Sequence, residues 1–251
     1  MVVDNVTIER ICEFKYLGIF FDSKLNFKSH GEYIEKRCCS AIGGIIRLKR
    51  FINTRIFALL VNTDVVTLTE YCVDIWGWQY FKNLKKIQKR IDSLLISFFF
   101  PHLAKYQTKG HWAKAVKDGK SLEEQSKCKK LFAKINLFDL YERCGILTIK
   151  ERLELNTMVL VFKFLKYGSD IGALKDFYQL ENTRNYHVQT RSCITNNLVL
   201  PKSIQKMFNG SVKYAAAKAW NALPSICKSL THSLENFKKY CIVHHQIYLH
   251  L

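Results

Sequence analysis

The segment Lys82-Asn83-Leu84-Lys85-Lys86-Ile87-Gln88-Lys89-Arg90-Ile91-Asp92-Ser93-Leu94-Leu95-Ile96-Ser97-Phe98-Phe99 decides the fold class. Leu84, Ile87, Ile91, Leu94, Leu95 and Phe98 recur at intervals of three and four, which places them on one stripe of an α-helix. Lys85, Lys86, Lys89 and Arg90 give the same helix a basic face. Upstream, from about His30 to Phe51, Ile34, Cys38, Ala41, Ile42, Ile45 and Leu48 repeat the pattern, with Lys36, Arg37, Arg47, Lys49 and Arg50 mostly elsewhere. Between these two, Asn53 or Thr54 to about Trp76 is predicted helical through Ile56, Leu59, Leu60, Thr63, Val66 and Leu68, although β-branched residues weaken the propensity.

Ahead of the helices, alternating β-branched and aromatic residues predict two short strands, Val6 to Ile11 and Phe14 to Asp22, with Asp4-Asn5 as a turn. Beyond them, Pro101 ends the basic helix. The stretch to about Lys134 carries nine lysines against Asp118, Glu123 and Glu124, and reads as a linker or loop. Thr148 and Glu151 form a capping box that opens a helix ending near Gly168. Asn182 to Pro201 is expected to hold a hairpin, Tyr186 to Cys193 paired with Leu198 to Leu200. Two final helices are expected, Ser211 to Leu223, stopped by Pro224, and Ser233 to about Tyr248.

The expected fold is therefore mainly α, with a small N-terminal β-hairpin and a minor later one. Only three prolines and eleven glycines interrupt 251 residues, 48% of them hydrophobic, which suits long hydrogen-bonded runs around a core. A net charge of +18 points to a polyanionic partner, nucleic acid ahead of membrane phospholipid. The nine cysteines, an odd set without a CxxC pair, predict reduced thiols. Asp4 and Glu9 stand where an export signal would need an apolar core, so an intracellular location, cytoplasmic or nuclear, is expected. No apolar run approaches the roughly 18 residues that span a bilayer.

The stretch Phe14-Lys15-Tyr16-Leu17-Gly18-Ile19-Phe20-Phe21-Asp22-Ser23-Lys24-Leu25-Asn26-Phe27-Lys28-Ser29-His30 resembles the YLG-x-x-x-D-x-x-L-x-F-x-x-H segment that follows the catalytic palm in non-LTR retrotransposon reverse transcriptases, jockey-like elements in particular. Further landmarks follow in the family's order: Glu70-Tyr71-Cys72, Trp76-Gly77, Ile87-Gln88-Lys89-Arg90, and Gly145-Ile146-Leu147 leading into Lys150-Glu151-Arg152. Thr190-Arg191, Leu200-Pro201, Trp220-Asn221-Ala222-Leu223-Pro224 and Phe237-Lys238-Lys239 resemble its tail. The resemblance spans about Val6 to Lys239.

It implies four regions: a palm-end hairpin over 1–28, with Tyr16, Leu17 and Gly18 near the primer grip; a thumb-like helical bundle over 29–100; the basic linker over 101–134; and a helical C-terminal region over 135–251. Lys36, Arg37, Arg47, Lys85, Lys86, Lys89 and Arg90 are the candidate contacts to RNA or an RNA–DNA duplex. Each could equally be part of a solvated helix face. The missing polymerase half and other retroelement proteins are further candidate partners, and no membrane partner is expected.

The family's polymerase uses magnesium held by paired aspartates. No two aspartates are adjacent here, and the adjacent carboxylates Glu123 and Glu124 lie in the lysine-rich stretch, so no cofactor and no polymerisation by this chain alone are expected. The resemblance further implies an incomplete copy, a relic's open reading frame. Cys227, His232, Cys241 and His244 or His245 offer zinc ligands at poor spacing, where packed thiols are the better reading. A nucleophile at Cys38 or Cys39 lacks a nearby base. Of Trp76, Trp78, Trp112 and Trp220, only Trp112 is a candidate stacking platform, the others reading as core. The alternative to nucleic-acid binding is a repurposed protein-interaction module or a non-functional relic.

Overall fold

The computed structural model describes residues 2–3, 6–7, 11–78, 80–104, 135–168, 178, 180, 196–200, 212–229 and 231–248. Among these the fold is mainly helical, with a small antiparallel hairpin near the start. The chain divides into two compact units, Met1–Tyr71 with Tyr80–Ile149, and Cys72–Gln79 with Lys150–Leu251. Residues 135–149, expected with the C-terminal region, thus belong to the first unit. No helix among the described residues is long and apolar enough to cross a membrane.

The first unit begins with β1 (Val2–Val3) paired to β2 (Val6–Thr7), which lies at the start of the strand expected over Val6 to Ile11, residues 8–10 lying outside the described ones. The strand expected over Phe14 to Asp22 is itself a hairpin. β3 (Glu13–Tyr16) pairs antiparallel with β4 (Ile19–Asp22) in a register that sets Lys15 opposite Phe20 and Tyr16 opposite Ile19. The two-residue loop Leu17-Gly18 has φ of 45° and 85°, both left-handed, as a type I′ turn requires. Alternation alone did not reveal it because Leu-Gly is a poor signature for such a turn.

Asp22 then redirects the chain. Its carboxylate accepts from the backbone N–H of Lys24 at 3.0 Å, Asn26 at 3.1 Å and Phe27 at 2.6 Å. Helix α1 (Lys28–Leu48) follows, burying Ile34, Cys38, Ile42 and Ile45, whereas Leu48 is exposed.

The helix expected from Thr54 to Trp76 is broken into pieces: α2 (Thr54–Leu60), a π-helical segment (Val61–Val66), α3 (Thr67–Glu70) and, past Cys72 at φ 50°, α4 (Val73–Trp76) of the second unit. Thr63 donates to the Leu59 carbonyl and Thr67 to that of Thr63, hydroxyls competing for the carbonyls a regular helix would use. The wide turn re-phases the buried face to Phe57, Ala58, Val61, Val65 and Val66. Ile56 and Leu59, expected inside, lie outside.

α5 (Phe81–Phe99) matches its pattern, with Leu84, Ile87, Ile91, Leu94 and Leu95 all buried against α1 and its neighbours, and Phe98 stacked on Phe57 at 3.9 Å. α5 stops ahead of Pro101, as expected, and that proline opens α6 (Pro101–Ala104). α7 (Leu137–Cys144), not foreseen, is capped at both ends. Asn136 accepts from Phe138 N–H, and Gly145, at φ 61°, lets its own N–H reach Glu142 and that of Ile146 reach Tyr141, a Schellman closure.

The second unit holds α8 (Ile149–Tyr167, its first residue still in the first unit), α9 (Val212–Ala222) and α10 (Leu234–Tyr248), the three near their expected bounds, and a 3-10 turn (Ser225–Lys228) between α9 and α10. Their core gathers Phe162, Trp220 and Phe237, whose rings stack, Phe162 on Phe237 at 4.4 Å. Leu198 bridges antiparallel to Leu180, and the Tyr186 to Cys193 strand of the expected later hairpin lies outside the described residues.

Candidate nucleic-acid interface

Whether a helix can meet a polyanion depends on where its carboxylates go as well as on where its lysines point. α5 has one acidic residue, Asp92, and the structure turns it inward. Tyr141 of α7 donates its hydroxyl to Asp92 Oδ1 at 2.7 Å, and the Gln88 amide donates to the same oxygen at 2.8 Å. Gln88 Oε1 accepts from Ile149 N–H at 2.8 Å, so this polar side of α5 is occupied within the first unit. Lys85, Lys86, Lys89 and Arg90 remain on the solvent side, all exposed. Arg90 reaches Glu35 of α1 at 4.0 Å, a long and half-exposed pair that contributes little.

On α1, Lys36, Arg37 and Arg47 are likewise exposed. Arg37 stacks over Tyr33 at 5.7 Å, with Nη1 donating to the phenol at 3.3 Å. Lys15 of β3 approaches the same ring at 5.8 Å and Phe20, its cross-strand partner, at 5.2 Å. Lys15 and Arg37 therefore meet around Tyr33, and Lys15 belongs with the candidate cations although sequence reasoning passed over it. The hairpin register, which sets it opposite an aromatic, is the signal that could have found it. Lys49 is turned the other way. Its ammonium donates to the Ser97 carbonyl at 3.0 Å, and burial, with Arg50 nearby, holds its pKa below the ordinary value.

Tyr16, Leu17 and Gly18 form the tip of the hairpin, with Tyr16 and Leu17 exposed. Tyr71 donates its hydroxyl to the Leu17 carbonyl at 2.7 Å, and its ring lies where a side chain on Gly18 would project. The tip is thus fastened to the end of α3. The remaining resemblance residues of this stretch act structurally. Burial pushes the Asp22 carboxyl up, but the N–H groups of Asn26, Lys24, Phe27 and Lys28 together hold it below its ordinary value. Phe27 is buried, and His30, 1% exposed, packs beside Phe20 and Tyr33, where burial lowers its pKa.

Set against known protein families, curated proteins and solved structures, the chain finds no match. Of the tail landmarks, Thr190-Arg191 and Pro201 lie outside the described residues, and Trp220 and Asn221 are structural. Asn221 clasps Leu198, accepting its N–H at 2.7 Å and donating to its carbonyl at 2.9 Å, while Trp220 donates to the Asn196 carbonyl. Lys228, 2% exposed, donates to Asn197 Oδ1 at 2.7 Å and the Asn221 carbonyl at 3.0 Å, and burial lowers its pKa. Trp76 and Trp220 are core, Trp78 donates to Thr157, and Trp112 lies outside the described residues with the whole lysine-rich stretch of 105–134.

Among the described residues no three His, Cys, Asp or Glu side chains gather to hold a metal. Cys227 and Cys241 are buried thiols, and His232 meets the Ile226 carbonyl at 2.9 Å. Burial pushes Cys38 and Cys241 up to about 12, far from the thiolate a nucleophile needs.

Proposed function

We propose that this chain is a polypeptide derived from the C-terminal part of a non-LTR retrotransposon reverse transcriptase, and that it binds RNA or an RNA–DNA duplex through phosphate contacts without polymerising on its own. The observation that carries the reading is the sorting of charge on α5: four exposed cations outside, and its only carboxylate bonded to Tyr141 and Gln88 inside. Such a face attracts a phosphate backbone without regard to base sequence, and binding releases condensed counterions. Lys36, Arg37 and Arg47 of α1, with Lys15 meeting Arg37 around Tyr33, extend the set of cations available to a duplex.

The test is binding of a primer–template duplex by the full chain at several salt concentrations. Affinity is expected to fall steeply and linearly on logarithmic axes. Lys85→Glu with Lys89→Glu is expected to flatten that slope by roughly two phosphate contacts, about 0.9 each for duplex DNA, with an unchanged melting temperature. A flat salt response in the parent protein, or unchanged binding in the double variant, removes phosphate neutralisation as the mechanism.

A second reading, a protein-interaction module, is favoured by the hairpin, whose Phe14, Tyr16 and Leu17 are 48%, 60% and 72% exposed. Apolar side chains grouped this way suit a protein partner such as a polymerase domain.

A further inference from the structure

Within the second unit, α8 and α9 leave a cavity of about 490 Å³, inside the range of about 300–1,000 Å³ usual for small-molecule sites. One stripe of each helix lines it: Lys150, Glu154 and Met158 at intervals of four on α8, and Ala215, Lys218, Ala219 and Ala222 at i, i+3, i+4 and i+7 on α9. The three alanines explain the space, since larger side chains at those positions would fill the groove between the helices.

Tyr214 and Trp78 add aromatic surface. Trp78 donates its indole N–H to Thr157 at 3.0 Å, so what it offers the cavity is ring carbon in a fixed orientation. The charged lining is uneven. Lys150 lies 3.8 Å from Glu154, whereas Lys218 is exposed and has no ion-pair partner among the described residues.

We propose that this cavity binds a single nucleotide. The flat rings of Trp78 and Tyr214 and the polarisable thioether of Met158 suit a heteroaromatic base. Glu154, an acceptor inside the lining, matches the amino groups on a base edge. Lys218 supplies the point charge for the phosphate, and Lys150, in the first turn of α8, adds to a region that already favours an anion. The volume is of the size that takes one such group. The inference is independent of the basic faces of α1 and α5.

Calorimetric titration of the full chain with AMP, adenosine and a hexamer of riboadenylate tests it. AMP is expected to bind one per chain, about tenfold more tightly than adenosine, and Lys218→Glu to remove that advantage. Ala222→Leu, at an exposed position where the helix tolerates leucine, is expected to weaken AMP at an unchanged melting temperature. A hexamer bound more tightly than AMP, and equally sensitive to Ala222→Leu, assigns the site to a residue of a strand; a hexamer bound no more tightly assigns it to the free nucleotide. Absence of saturable AMP binding up to millimolar concentration, equal affinity for adenosine, or indifference to both substitutions overturns the proposal.

Discussion

α5 and the stretch from Cys12 to His30 both hold candidate functional residues, yet they are built on opposite principles. In α5 apolar residues go in and charges go out, and Gln88, Asp92 and Ser97 make its internal polar contacts. From Cys12 to His30 the arrangement is inverted. Asp22 is turned onto backbone N–H groups and His30 is buried, while Phe14, Tyr16 and Leu17 face solvent. A segment of the first kind holds its shape by area removed from water. One of the second kind depends on a few directional bonds, and its exposed apolar residues remain available to something else.

Substitutions can break this contrast. Ile91→Ala, at a site 2% exposed, is expected to lower stability by about 2–5 kcal/mol, measured by chemical denaturation of the first unit's signal. A loss below about 1 kcal/mol would mean that α5 does not anchor the core. Asp22→Ala removes a charged acceptor serving three N–H contacts, and is expected to lower stability by about 1.5–3 kcal/mol. If Asp22→Asn restored all of it, charge would be irrelevant to the turn.

The smallest effect is one of pH. His30 has its pKa lowered by burial, so the unfolded chain takes up its proton first as pH falls. Stability is full above the unfolded value of about 6.5 and declines below it, by at most about 1.4 kcal/mol per pH unit, until the folded value is passed. His30→Phe should flatten the melting temperature between pH 7 and 5. An unaltered profile would place the titration elsewhere.

The same contrast explains what could be read in advance. The stripe of α5 was legible to the residue because nothing but burial decides it, and α8, α9 and α10 were legible for the same reason with help from Thr148 and Pro224. The break in the Thr54–Trp76 helix was not, since it turns on threonine hydroxyls choosing carbonyls, a competition that periodicity does not register. α7 was missed although Asn136 and Gly145 mark both ends, because eight residues are too few for a periodic signal. Of the candidate site, the exposure of all seven cations could be read from the pattern. The place of Lys15 beside Tyr33, and the inward turn of Asp92, required partners distant in sequence.

The uneven burial of the thiols has a practical corollary. Cys38, Cys144, Cys227 and Cys241 are sealed in protonated form, whereas Cys12, at the base of the β3–β4 hairpin, is open to solvent. Among these five, a maleimide dye applied briefly at neutral pH would attach first at Cys12, at the open end of the hairpin. The reporter would then sense whatever macromolecule settles there, and later uptake at the sealed positions would time the opening of each core.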